Sequence, residues 1–406
     1  MAANAYIVSV APRSGKSVIA LGVMELLARR TRKIGFFRPI IPEGGPDNNI
    51  ELIRRRYNLP IPYDDMYAFT HDQAQDLASR GNYDELIKVI LGRYKALESR
   101  CNFVLIEGTD YTGVSTAFEF DINATLAKNL GAPVIVLVNA RNKKVSDVSS
   151  EVQIAEEAFE NQGCTLLATM VNRLNAADMG AVLQKIGANR QGRPPVYVLP
   201  NDDLLGKPTV GEIVEALNAN HIQCEPDSLN REVQHLVVAA MQLRNFLEHL
   251  EEGALIITPG DRADIILGTV ATAFSDTYPN IAGIVLPGDL KPEPPIQRLI
   301  DGMHSTPVSR VPIPVFSVDT DTYLTAMKAH AVRAALPPDN DRKIATALGL
   351  FETHVDLQAL EEQIAATRSS RETPFMFEYK LIEKAREKLC ATPILGRIIY
   401  LTLHRQ

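Results

Sequence analysis

The stretch IVSVAPRSGKSVIALGVMELL, residues 7–27, constrains the fold more than any other part of the chain. It opens as an apolar strand, turns through polar residues ending in Gly15-Lys16-Ser17, and continues with Val18, Leu21 and Leu26 at helical spacing. Arg29 and Arg30 follow where the helix dipole favours cations. A strand passing through a tight turn into a helix is the setting of a phosphate-binding loop, whose backbone N–H groups face an anion at the helix N-terminus. In the motif G-x-x-x-x-G-K-[ST], Lys16 reaches toward the β/γ-phosphates and Ser17 holds Mg²⁺. Gly15, Lys16 and Ser17 stand in that order, but Val10 occupies the place of the first glycine and Pro12 removes one amide donor. Two readings stand open: a nucleotide loop built from Arg13, Ser14, Gly15, Lys16 and Ser17, or a turn in which Lys16 is merely exposed.

The segments that follow alternate in kind. KIGFFRPII, NFVLIEG, PVIVLVNA, TLLATMVNRL and PVYVLP are short and almost wholly apolar, which fits strands buried on both faces. IELIRRRYNL, STAFEFDINATLAKNLG and VSSEVQIAEEAFENQG read as helices, with Gly131 and Gly163 at C-cap positions of the last two. The pattern predicts an α/β fold: a parallel sheet with helices on both faces. Ligands in such sheets bind at the carboxyl ends of the strands. Glu107, closing NFVLIE, and Asp47, in the loop PEGGPDNN, are therefore candidate Mg²⁺ ligands beside Ser17. Turn chemistry explains Asp47 equally well, and Glu107 also reads as an ordinary strand-end acid. Asn172, after TMV, offers an amide to a nucleobase edge.

NANHIQCEPDSLNRE is a polar break, after which VQHLVVAAMQLRNFLEHL reads as a helix, GALIITPG, IAGIVLPG and PVFSVD as strands, and DRADIILGTVATAFS as a helix. RAALPPDNDRK reads as a second linker. The expected organisation is a P-loop domain over 1–217, a smaller α/β domain over 232–332 and a short helical C-terminal segment over 344–406.

The chain carries 42 Lys and Arg against 49 Asp and Glu, a net charge of -7, which leaves no footprint for nucleic acid or an anionic membrane. Arg54-Arg55-Arg56 reads as the solvated face of a helix. Cys101, Cys164, Cys224 and Cys390 are widely spaced, against a zinc or disulfide framework and consistent with a reducing cytosol. PVIVLV and its like are strand-length, far short of a membrane span, so a soluble cytoplasmic location is expected. The sequence has no H-E-x-x-H and no G-x-S-x-G.

Taken in order, SVAPRSGKS, FFRPI, VLIEGTDY, DINATLAKNLGAPVIVLVNA, MVNRLN and LPNDDLLGKPTVGEI resemble the amino-terminal region of long-form bacterial phosphate acetyltransferase. That region is similar to dethiobiotin synthetase and the cobyrinic and cobyric acid synthases. LIITPGDRADIILG and AGIVLPG resemble the DRTGG domain found next in the same proteins, with LPGDL where Thr-Gly-Gly is common. TPFMFEYKLIEKAREK resembles the opening of the acetyltransferase domain. The resemblance implies a regulatory module that binds ATP with Mg²⁺, or a small-metabolite effector, and that takes part in homo-oligomers. Full-length relatives convert acetyl-CoA and phosphate into acetyl phosphate and CoA. Ser9 stands where the ligase relatives begin their loop with glycine, and Arg38 replaces their substrate-contacting lysine ahead of Pro39. Both departures count against the alternative of an ATP-dependent ligase; a non-enzymatic assembly module is the third reading. The tail LCATPILGRIIYLTLHRQ does not look like the family's continuation. The catalytic domain is therefore expected to be missing from this chain, and its catalytic residues map to no position here.

Overall fold

The computed structural model describes residues 3–109, 116–187, 190, 192–304, 313–367, 381 and 384–385. They fall into two compact units, Met1–Asn201 together with the chain from Ala345 onward, and Asp202–Ile344. TPFMFEYKLIEKAREK and the tail after it lie, apart from residues 381, 384 and 385, outside the described residues.

The first unit is built on seven parallel strands: β1 (Ala3–Ser9), β2 (Ile34–Ile41), β3 (Tyr67–Thr70), β4 (Phe103–Glu107), β5 (Val134–Asn139), β6 (Leu166–Leu174) and β7 (Val196–Pro200). Their order is β3-β2-β4-β1-β5-β6-β7, flanked by helices. β1 lies at the centre, with Ala5, Tyr6, Ile7 and Val8 fully buried, because four successive apolar side chains must be covered on both faces. The chain places β2, β3 and β4 on one side of β1, returning to lay β4 against it, and then β5, β6 and β7 on the other side. The loop after β1 thus opens at the switch of direction, where ligands bind in sheets of this kind. α1 (Lys16–Ala28) follows that loop and α2 (Asn48–Arg56) follows β2. Gly131 and Gly163 take the left-handed conformation after their helices, as the C-cap reading expects. Arg54 and Arg55 are partly exposed and pair with Glu51 one turn back.

Residues 345–366 belong to this unit rather than standing apart. Phe351, fully buried, lies against Gly22 of α1, and Arg30 Nε of the α1 C-terminus meets Glu361 Oε1 at 2.7 Å.

The second unit has a five-stranded sheet: β8 (Asn220–Gln223), β9 (His235–Val238), β10 (Ala254–Ile257), β11 (Gly283–Leu286) and β12 (Val315–Ser317). The order is β8-β12-β11-β10-β9, parallel except for β8. Three differences from the sequence reading have physical causes. The unit begins at 202, not after 217, because Val210, Ile213, Val214 and Leu217 bury an apolar helix face against Leu255, Ile257, Val285 and Phe316. The polar break holds β8, whose main chain pairs with β12 whatever its side chains, and His221 sits edge-on to Phe316 at 5.2 Å. VQHLVVAAMQLRNFLEHL is no single helix: residues 235–238 pair with β10 in the register Ala254↔His235 to Ile257↔Val238, and only Leu243–Leu247 is helical. The β-branched Val237 and Val238 favour the extended form once a strand edge is available. Among the described residues no helix is long and apolar enough to cross a membrane.

Candidate phosphate-loop site

β1 ends at Ser9 and α1 begins at Lys16, so residues 10–15 form the loop. Gly15 is left-handed (φ 84°), and a Cβ there would come within 2.3 Å of Asn172 Nδ2. Both facts restrict this position to glycine. Lys16 is 5% exposed; its Nζ donates to the carbonyl oxygens of Gly108 and Thr109, each at 2.7 Å, just past β4. The ammonium therefore lies across the mouth between the loop and β4, not in solvent. Ser14 is buried, and its hydroxyl has no partner among the described residues.

The carboxylates lie on the β2–β4 side. β2 and β4 pair in the register Phe37↔Ile106, which brings Arg38 beside Glu107. Arg38 Nη2 is 3.3 Å from Glu107 Oε1, and its Nη1 donates to Asp47 Oδ2; all three side chains are buried. Asp47 also caps α2, its Oδ1 accepting the Ile50 N–H at 2.9 Å. Its own N–H donates to the Tyr63 hydroxyl at 2.6 Å. Burial raises the pKa of Tyr63, the Asp47 hydrogen bond opposes that and the Asp47 charge adds to it, so the phenol stays neutral. Ser17 Oγ donates to Asn49 Oδ1 at 2.8 Å, and Asn49 Nδ2 donates to Glu107 Oε1 at 2.7 Å. Ser17, Glu107 and Asp47 are thus brought together, but through Asn49 and Arg38 rather than face to face. Arg38 supplies a shared counter-charge to the two carboxylates. Among the described residues no group of three or more His, Cys, Asp or Glu is placed to hold a metal.

Asn172 is buried at the end of β6. Its amide donates to Ser14 O at 2.8 Å and its Oδ1 accepts the Arg173 N–H at 2.9 Å, so it braces the loop from behind. Sequence reasoning missed Asn49 and Asn139. Asn139 Nδ2 donates to Arg13 O at 3.3 Å. A signal for Asn139 was present: both VLVNA and TMVNR carry Val-Asn near the end of an apolar run. Asn49 offered none, since one Asn among several polar loop residues is unmarked.

Residues 3–209 match the AAA domain family, and residues 212–332 match the DRTGG domain family. The chain is 40% identical over 393 residues to phosphate acetyltransferase of Nitratidesulfovibrio vulgaris, covering 95% of this chain and 55% of that protein. It is 35% identical to phosphate acetyltransferase of Synechocystis, again covering 95% of this chain and 55% of that protein. The chain thus spans about half the length of the curated relatives it matches. A structure of Cyanothece McdA with ATP is similar at 15% identity and a TM-score of 0.31, covering 50% of this chain and 85% of that one, too distant to add to the topology. With a phosphate-type loop on the central strand of a parallel sheet and a family match over residues 3–209, this chain belongs to the AAA domain family and carries a DRTGG domain after it.

Proposed function

We propose that this chain is the nucleotide-responsive regulatory half of a phosphate acetyltransferase, with the nucleotide phosphates held over Gly15-Lys16-Ser17. The acetyl transfer between CoA and phosphate belongs, in this reading, to the whole protein of which the relatives are examples. The observation that carries it is Lys16, buried between the loop and β4 with its ammonium on two carbonyl oxygens. Those neutral acceptors are weaker partners for an ammonium than phosphate oxygens, so an arriving anion gains a charge-assisted bond by drawing Lys16 over. Arg13, Ser14 and Gly15 contribute the loop backbone, and Asn172 fixes its shape. Mg²⁺ arriving with ATP would be held by Ser17, with Asp47 and Glu107 acting as outer partners through Arg38 and Asn49. The closed Arg38–Asp47–Glu107 cluster favours sensing over ligase chemistry, because an acceptor substrate would find the guanidinium already engaged by two carboxylates. The nucleotide, or a small metabolite on the DRTGG domain, is the effector, and homo-oligomers of a cytoplasmic protein are its setting.

Calorimetric titration of Mg-ATP into the wild type and into Lys16→Ala tests this reading. Saturable binding in the wild type that Lys16→Ala abolishes is expected. No heat in either protein, together with an unchanged melting temperature, would leave the loop as a structural relic.

A further inference from the structure

Asn139 and Asn172 are register partners at the ends of β5 and β6, and each makes the same pair of bonds. Asn139 donates to Arg13 O and accepts the Arg141 N–H on Oδ1 at 3.1 Å. Asn172 donates to Ser14 O and accepts the Arg173 N–H. Two successive loop carbonyls and the main chain of two arginines are thereby fixed by two asparagines. Arg13, Arg141 and Arg173 gather at the β5–β6 edge of the loop, opposite the Arg38 cluster. Arg13 (φ 58°) and Arg173 (φ 63°) are both left-handed, a conformation uncommon for non-glycine residues that persists only when the surroundings enforce it. Arg173 Nε lies 3.7 Å from where a Cβ on Gly15 would stand. None of the three guanidinium groups has a carboxylate partner among the described residues. Burial lowers the pKa of Arg173, and the like charges of Arg141 and Arg13 lower it further.

Three arginines with no carboxylate partner among the described residues repel one another, and an anion placed among them relieves that repulsion. Guanidinium groups match phosphate oxygens in a planar fork, which makes phosphate the anion of choice. The buried Ser14 hydroxyl, without a partner among the described residues, adds a donor in the same loop. We propose that Arg13, Arg141 and Arg173 form a second anion subsite, which takes a further phosphoryl group of a polyphosphate chain whose first group lies over Gly15–Ser17. The ligand class is a nucleotide with a di- or triphosphate chain, not a monophosphate. The proposal rests on the phosphate-loop reading and deepens it.

The test titrates inorganic phosphate, pyrophosphate and tripolyphosphate into the full chain and into the double variant Arg141→Gln, Arg173→Asn. Asparagine tolerates the left-handed backbone at 173. Circular dichroism establishes that the variant is folded, and Arg141→Gln alone serves if it is not. Wild-type affinity should rise about tenfold or more from phosphate to tripolyphosphate, and the variant should lose that gain while binding phosphate to within about twofold of wild type. Phosphate binding with no gain along the series, or an equal gain in the variant, overturns the subsite alone. No binding of any of the three anions to the wild type overturns the loop reading and the subsite with it.

Discussion

Arg38 shows how much of the site depends on single contacts that a sequence does not display. The placement of Gly15, Lys16 and Ser17 at a strand-to-helix turn was legible because their order is local. The positions of Asp47 and Glu107 were legible as a loop acid and a strand-end acid. Their partner was not, because Arg38 meets Glu107 only through the β2–β4 register, 69 positions apart in chain order. The consequence is testable at that residue. Arg38→Met keeps the volume but leaves two buried carboxylates without their guanidinium, and should cost about 3–5 kcal/mol. Urea denaturation of wild type and variant measures it. A loss below about 1 kcal/mol would mean that the carboxylates find other compensation, as a surface pair would.

α1 carries both the loop and the contact that ties residues 345–366 to the first unit. The strand and helix pattern of the first half was readable because parallel strands are uniformly apolar and their helices are amphipathic. The helix reading of 233–250 failed because VQHLVV has apolar residues that suit either period, and the choice was made by pairing to β10. Gly22 is a case where element and context give opposite answers. In an isolated helix Gly→Ala is stabilising by nearly 1 kcal/mol. Here the new methyl would lie 2.2 Å from the Phe351 ring, which is fully buried. Gly22→Ala should therefore destabilise the first unit by about 1–3 kcal/mol, and a second change, Phe351→Leu, should recover part of the loss. Thermal unfolding of the single and double variants decides it. A more stable Gly22→Ala would show that helix propensity prevails and that Phe351 moves aside freely.

At the scale of the whole molecule, the succession of a P-loop unit and a smaller α/β unit was legible in the order of the motifs, and the family matches over 3–209 and 212–332 follow the same order. The start of the second unit was not legible, because a unit begins where its core begins and not where the composition turns polar. The second unit shows why. Its strands are only three or four residues long, so its helices and connections must supply much of its cohesion. Lys343 does this from the far end of the unit's sequence. Fully buried, its Nζ donates to Lys207 O at 2.7 Å and Ala335 O at 3.3 Å and lies 3.4 Å from Glu212 Oε2. Glu212 in turn closes the capping box of the helix Val210–Ala216, taking the Thr209 N–H at 2.6 Å. One ammonium therefore joins the helix Val210–Ala216 to the chain 131 positions after Glu212, a closure worth more here than in a large core. Lys343→Met strips Glu212 of its counter-charge and two carbonyls of their donor, and should destabilise the unit by about 3–5 kcal/mol. That is a large share of the 5–15 kcal/mol typical of a domain. Hydrogen exchange should then show the amides of β10, β11 and β12 losing protection by about two to four powers of ten, since each 1.4 kcal/mol is a factor of ten. Protection that stays at the wild-type level would mean that the hydrophobic core around Leu255, Val285 and Phe316 holds the unit without the ammonium.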